Sequence, residues 1–589
     1  MATVSNAPAA AQGPHDCPAN LGPWQSLLQA GWIDCHRVSD LTTTGNPYTD
    51  PNGLTGMGSP PPSSGALHSK YSRPTAPAVP GLQIDGWFSD DGCDNFQQEP
   101  ATTAKNGAPF IATCVPSAPG ECLARCHHDG QFVIRLPDSW NGQLLSTGTP
   151  GIRDAFASDY VFGDYALEKG WAYASQDKGN MGANYYRAGC DETGSCTAAS
   201  WPGACTASST PWCPAAAIQE WTYRILQLTA RTKQFLASVA SGYGVGGVTK
   251  SYVAGISNGG YQTRRALEVD SAGLYDGGVD WEGTLFVPTL PSGVTAASST
   301  TGFNLFTYLP TSLANEPGAV LGDPGAQAAL AAVGFNAESQ PLWPYHYSIY
   351  WGLTQKVYRL EFDPEYTGYT CSGPPSTTSC VSPPAEVVPP QDPDASYDYR
   401  TRLSQLPALA SRLQSVANTG DIKHPLITLH GDQDSLLPIK TDSDLYAQMV
   451  RNAGHDSIYR YYVVRGGNHV DSQFDDHYGF DDYGNKVLRP MLPCVRASLD
   501  ALDGWISAGR TPPASHEITR PANASADQLA NTCDLQVAAT PQPQNQAAVT
   551  ATPFSRGAPH AAWWLWVVFA AAAFAAAGSS VLRRRLRSS

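Results

Sequence analysis

The chain has little charge. Charged residues make up 15% of its 589 positions, against a usual share of about a quarter. Basic residues are the scarcer sign: 36 Lys and Arg stand against 51 Asp and Glu, a formal net charge of −15. No basic face is visible before the last few residues, which argues against nucleic acid as a partner. A signal peptide of ordinary form is missing, because the start has neither a basic n-region nor an apolar h-region. Asn6-Ala-Pro-Ala-Ala-Ala-Gln12 still carries the small residues of a cleavage site, so residues 1–16 are expected to be the remnant of a signal peptide or a disordered start. A second Cys/His cluster is missing too. Cys122-x-x-x-Cys126-His127-His128 therefore reads as a disulfide beside surface histidines, and neither metal nor cofactor is expected.

What is present points outside the cytosol. The 55 glycines and 48 prolines imply many loops and turns, while a 42% hydrophobic content is ample for a core. Fourteen cysteines are many for a cytosolic protein, and pairs such as Cys190/Cys196, Cys205/Cys213 and Cys371/Cys380 sit in short polar loops. That pattern reads as disulfides made in an oxidising compartment, with the pairing left open.

The stretch Ser251-Tyr-Val-Ala-Gly255-Ile256-Ser257-Asn258-Gly259-Gly260-Tyr261 carries the chemistry. A short β-type run enters a Gly-x-Ser-x-Gly turn and a helix-like segment follows at once, the context of a nucleophile elbow. The pentapeptide alone is also what a glycine-rich turn would show. Its partners must come from elsewhere. A serine needs a base to remove its proton and a carboxylate to hold that base in the right tautomer. Pro425-Leu-Ile-Thr-Leu-His430 reads as a strand ending in Gly431-Asp432-Gln433-Asp434, and Tyr459–Val464 as a strand ending in Arg465-Gly-Gly-Asn468-His469. Ser257, Asp434 and His469 thus each follow a separate strand, at the ends where open α/β sheets place their sites. Asp432, Asp280 and Glu282 are alternative acids, and His430 and His477 weaker alternative bases. The oxyanion donors are expected to be the N–H groups of Asn258 and of Thr149, in the loop Thr147-Gly-Thr-Pro-Gly151.

The order of elements predicts an α/β fold with a mostly parallel central sheet and helices on both faces. Residues 17–130 read as a loop-rich, disulfide-tied N-terminal region, 131–283 and 411–510 as the two parts of the core, and 284–410 as an aromatic-rich lid or cap. The acidic run Asp471–Asp482 is a solvated loop or a calcium site. Residues 511–560 lack periodicity and read as a flexible linker. Residues 561–582 carry no charge and are long enough for a transmembrane helix, with Trp563, Trp564 and Trp566 at one interface and a basic cytoplasmic tail over 583–589. The expected location is therefore extracytoplasmic, anchored by that helix or secreted after processing. The oligomeric state is not legible.

Gly255-Ile-Ser257-Asn-Gly259, His430-Gly-Asp-Gln-Asp434 and Gly466-Gly-Asn-His469 resemble the α/β-hydrolase superfamily over about 131–508, apart from the lid. Within it, Trp140-Asn-Gly142, Trp171-Ala-Tyr-Ala-Ser175 and the cysteine-rich character are similar to tannase and feruloyl-esterase-like enzymes. The Ser-Asn-Gly-Gly elbow and Gln176-Asp-Lys-Gly179 are similar to 3-hydroxybutyrate oligomer hydrolases. Ile256 and Val470 stand where tannases carry a cysteine pair. Both groups cleave carboxylic esters, so the resemblance implies a serine esterase acting on small-molecule or oligomeric esters. A prolyl-type peptidase on the same fold, and a non-catalytic surface protein on a hydrolase scaffold, are the competing readings.

Overall fold

The computed structural model describes residues 15–49, 67–88, 130–179, 216–288, 322–343, 399–475 and 487–536, with gaps at 75–76 and 152, and a few short pieces besides. Ten described strands form one sheet: β1 (Ala30–Val38), β2 (Gly81–Phe88), β3 (Gln131–Pro137), β4 (Gln143–Gly148), β5 (Ala172–Gln176), β6 (Lys250–Ile256), β7 (Gly277–Trp281), β8 (Leu426–Gly431), β9 (Tyr459–Val464) and β10 (His516–Ile518). Their spatial order is β1-β2-β3-β5-β4-β6-β7-β8-β9-β10. The first three strands run antiparallel to their neighbours, and every pairing from β5 to β10 is parallel. The chain steps from β4 outward to β5 and returns to β6 on the other side of β4. That reversal opens a crevice at the carboxyl ends of β4 and β6, the place where open α/β sheets bind ligands.

Alternation along the strands divides the core in two. Leu145, Tyr252, Ala254, Val279, Leu429 and Val464 pack on one face with Val495, Leu499 and Leu502 of the closing helix α4 (Leu492–Ala508). Leu144, Val253 and Tyr461 face the other way, against Ile225, Leu228 and Phe235 of α1 (Ala216–Val239), Leu267 of α2 (Asn258–Val269) and Met449 of α3 (Ser443–Asn452). Neighbours such as Leu144 and Leu145 thus lie on opposite faces, as the period of two requires. The closing helix starts at Leu492, because Pro490 precedes it and Pro493 fits only a first turn.

Within the loop-rich N-terminal region, β1 and β2 extend the sheet by one antiparallel pair, and Cys17 is bonded to Cys35 of β1. Two expectations need correcting. The stretch 511–560 does not begin as a linker. β10 pairs in parallel with β9, Ala526–Asn531 forms a helix with a capping box from Ser525, and Cys533 is bonded to Cys494 of α4. The C-terminal transmembrane helix is not supported. No helix among the described residues is long and apolar enough to cross a membrane. The longest, α1, carries Glu220, Arg224, Arg231 and Lys233 and lies against the sheet. Residues 561–582 themselves, the cysteine-rich insertion 190–213, Cys122–His128, Cys371–Cys380, most of 284–410 and the acidic positions beyond Asp475 lie outside the described residues.

Buried carboxyl groups give the fold a pH signature. Burial pushes Asp85 up to about 8, Asp164 up to about 7 and Asp471 up to about 7, from an ordinary 3.8. Between pH 5 and 7 the folded chain therefore holds protons that the unfolded chain has released, and stability falls as pH rises. His68, lowered to about 4 by burial, acts in the opposite sense up to its ordinary 6.5 but is outnumbered by these acids, and Lys178, lowered to about 7 by burial, opposes them only above that pH. Melting followed by circular dichroism in low salt should show a lower Tm at pH 7 than at pH 5, and a flat or rising Tm would contradict this reading of the buried acids.

Candidate active site

The turn after β6 places Ser257 under backbone strain. Its φ is +83°, a region that residues with a Cβ rarely enter. The turn is held from three sides. Ser257 N–H donates to the Trp281 carbonyl at the end of β7 (3.1 Å), and the Ser257 carbonyl accepts from Tyr261 N–H (2.9 Å) and Thr284 N–H (3.1 Å). The small residues around it are required by contact with β4. An ideal Cβ on Gly259 would lie 2.4 Å from the Gly148 carbonyl oxygen and 3.2 Å from the Thr149 nitrogen. The first turn of α2 and the loop carrying Thr149 therefore meet backbone to backbone.

His469 arrives on the loop after β9, and Asp434 on the loop after β8. His469 Nε2 lies 3.0 Å from Ser257 Oγ, and its Nδ1 lies 2.8 Å from Asp434 Oδ2. Ser257 is half-buried, while His469 and Asp434 are buried. Asp434 Oδ1 accepts the N–H groups of Leu436 (2.7 Å) and Leu437 (2.9 Å). Burial alone would raise this carboxyl, but His469 and His430 beside it hold it well below the usual carboxylate range. It is charged at any ordinary pH. Chemically, the arrangement can move a proton from the serine hydroxyl to Nε2 while Nδ1–H stays with Asp434.

The competing side chains are committed elsewhere, with one exception. Asp432 accepts Gly466 N–H (2.6 Å) and pairs with Arg465 (2.8 Å). Asp280 pairs with buried Arg264 (2.6 Å) and accepts Gly283 N–H (2.8 Å). His430 is buried behind Asp434, with Nε2 2.9 Å from the Leu437 carbonyl and 3.2 Å from Asp434 Oδ2. His477 lies outside the described residues. The exception is Glu282, whose Oε2 lies 3.4 Å from Nδ1 of His469. Glu282, Asp434 and His469 are the described cluster whose donor atoms all fall within 4.8 Å, a spacing that also suits a cation. His469, however, has no ring nitrogen to give one, since Nε2 faces Ser257 and Nδ1 faces Asp434.

Beside Ser257, Asn258 begins α2 with its Oδ1 accepting the Thr284 hydroxyl (3.0 Å). Thr149 follows Gly148, the register partner of Gly255. Sequence reading overlooked the support beneath Thr149. Lys178, buried with φ +72°, donates from Nζ to Thr149 Oγ1 (2.7 Å) and to the Thr149 carbonyl (3.3 Å). No local sequence signal marks it, because the contact depends on β5 lying next to β4. Tyr261 points inward, its hydroxyl bonded to the Val416 carbonyl (2.8 Å), and so does not line the approach to Ser257. Asp471 and Asp475 are likewise structural: Asp471 caps α4 through Met491 and Leu492 N–H, and Asp475 accepts from Lys70 N–H (2.6 Å).

The described chain has a mostly parallel α/β sheet. Among solved structures it is similar to feruloyl esterase B from Aspergillus oryzae, at 14% identity over 84% of this chain and 90% of that one, with a TM-score of 0.41. It is also similar to tannin acyl hydrolase from Aspergillus niger (13% identity, 81% and 83% covered, TM-score 0.38) and to the closed state of lipase A from Candida antarctica (12%, 89% and 94%, 0.35). No protein-family model and no curated protein sequence matches the chain.

The backbone contact at Gly259 yields a test. Gly259→Ala must separate α2 from the Thr149 loop, because neither the Gly148 carbonyl nor the helix can yield cheaply. The variant should lose at least about tenfold in turnover, the scale of losing an oxyanion donor's placement, measured as kcat on an activated ester. Wild-type kcat would show that the contact does not position the loop.

Proposed function

We propose that the protein is a serine hydrolase of carboxylic esters. The observation that carries this reading is the hydrogen-bonded line Ser257 Oγ, His469 Nε2, His469 Nδ1, Asp434 Oδ2 at the carboxyl edge of a parallel sheet. Ser257 Oγ attacks the ester carbonyl carbon while His469 Nε2 takes the hydroxyl proton. The carbonyl oxygen becomes an oxyanion, received by the N–H groups of Asn258 and Thr149. On collapse, the C–O bond to the alcohol breaks and His469 returns its proton to the departing oxygen. A water then adds to the acyl-enzyme by the same steps, giving the free acid and restoring Ser257. Asp434 keeps Nδ1 protonated and offsets the charge on the imidazolium. Ester rather than amide cleavage is favoured by the sequence resemblance to tannase, feruloyl-esterase-like and hydroxybutyrate oligomer hydrolases. The Cys17–Cys35 and Cys494–Cys533 bonds support an extracytoplasmic location.

A fluorophosphonate probe should label the purified protein and fail to label Ser257→Ala, and turnover of p-nitrophenyl butyrate should fall at least about a thousandfold in that variant. Hydroxybutyrate oligomers, methyl gallate and methyl ferulate should be cleaved in preference to proline amides. Equal labelling of wild type and variant would remove the proposal, and faster cleavage of the amides would turn it into a peptidase.

A further inference from the structure

A second carboxyl group stands at the base. Glu282 follows Trp281 at the end of β7, is fully buried, and has φ +50°, a conformation costly for a residue with a side chain. Its Oε1 accepts the Gly431 N–H (2.8 Å), which ties the ends of β7 and β8 together. Its Oε2 has no hydrogen-bond partner among the described residues and lies 3.4 Å from His469 Nδ1, the atom that faces Asp434. A structural tie to Gly431 would be made equally by a glutamine. The unaccounted feature is a buried carboxyl oxygen turned toward the catalytic imidazole.

Two desolvated carboxylates at this range cannot both be charged. Asp434 has four donors, His469, His430 and two backbone N–H groups, whereas Glu282 has one. The proton therefore resides on Glu282, and burial together with the Asp434 charge pushes this group well above the usual carboxyl range. The other acids facing it are Asp471, at the start of α4, and Asp280, which Arg264 balances. We propose that Glu282 is a second acid for His469, a positioning residue that shares Nδ1 with Asp434 and orients the ring by itself when Asp434 is absent. This rests on the serine-hydrolase reading above. Without Asp434 the repulsion disappears, Glu282 ionises at lower pH than before, and its Oε2 accepts Nδ1–H.

The test is a double-mutant comparison on the full chain, read as kcat/KM for p-nitrophenyl butyrate from pH 5 to 9. Glu282→Gln keeps an acceptor for Gly431 and should cost only about threefold beside Asp434, but at least about thirtyfold in the Asp434→Ala background. The rise of activity with pH in Asp434→Ala should carry the ionisation of Glu282 beside that of His469, and only the His469 limb should remain in the double variant. Thermal melting followed by circular dichroism checks that each variant is folded. If the alanine pair does not fold, Asp434→Asn serves as the background. The same factor in both backgrounds, or one pH profile shared by Asp434→Ala and the double variant, overturns the proposal. Full turnover by Ser257→Ala would instead overturn the serine-hydrolase reading, and this proposal with it.

Discussion

The structure around the site depends on keeping one charge, that of Asp434, out of water. An unpaired ion in a protein interior costs several kcal/mol, on the order of 3–5 when a partner is removed. Asp434 meets that cost with two imidazoles and two backbone N–H groups. The support runs further back. Arg264 on α2 donates to Ser443 Oγ (2.6 Å), and Ser443 Oγ lies 2.6 Å from His430 Nδ1. The helix that begins after Ser257 is thereby wired to Asp434 through buried side chains only. Arg264 also holds Asp280 and Asp442, so β7, α2 and α3 meet at one guanidinium, whose planar fork suits several oxygens at once.

A second constraint acts at Ser257, where the backbone is strained. A serine in a relaxed strand-to-helix turn would lie along the backbone, not above it. Holding φ at +83° requires contacts that over-determine the turn, and the bonds to Trp281, Tyr261 and Thr284 supply them from β7, α2 and the loop beyond. The absence of side chains at Gly255 and Gly259 brings α2 onto Gly148, and that contact puts Thr149 beside the helix N-terminus. Nucleophile placement and loop placement are one packing decision.

Much of this was legible in sequence where local chemistry and position agreed. The elbow shows itself because small residues flank a serine between a β-type run and a helix. The strands before Asp434 and His469 show themselves as runs rich in β-branched, leucine and tyrosine residues, interrupted by Thr428 in one and Arg460 in the other. The choice between Asp432 and Asp434 was framed by loop position, and its reason is spatial: Asp432 turns to Gly466 and Arg465 across the β8–β9 junction. β1 and β2 stayed hidden because polar residues interrupt their apolar pattern. Buried Gln83 is partnered by Asn46, the Tyr48 carbonyl and Arg135 and donates to buried Asp85, contacts that no periodicity encodes. Ordered structure in 516–531 was hidden by short elements held through β9 and the Cys494–Cys533 bond. Lys178 beneath Thr149 needed the knowledge that β5 lies next to β4.

Strand geometry also explains why an aspartate and a glutamate can address the same imidazole. His469 follows β9. Asp434 follows β8, its immediate neighbour, and Glu282 follows β7, one strand farther away. Adjacent strands are about 4.8 Å apart, and neighbours in a parallel sheet end at one edge. The loop after β8 can bring a short side chain to Nδ1. A residue directly at the end of β7 has more to cover, and the extra methylene of glutamate, aided by a left-handed backbone at Glu282, shortens the gap to 3.4 Å. Any parallel sheet with this order therefore has two strand ends from which an acid can reach the histidine. What distinguishes them is solvation: the longer loop after β8 turns its own N–H groups onto Asp434, whereas Glu282 has only the Gly431 N–H on one oxygen. Charge settles where the donors are, and that difference, not distance alone, makes Asp434 the ionised partner.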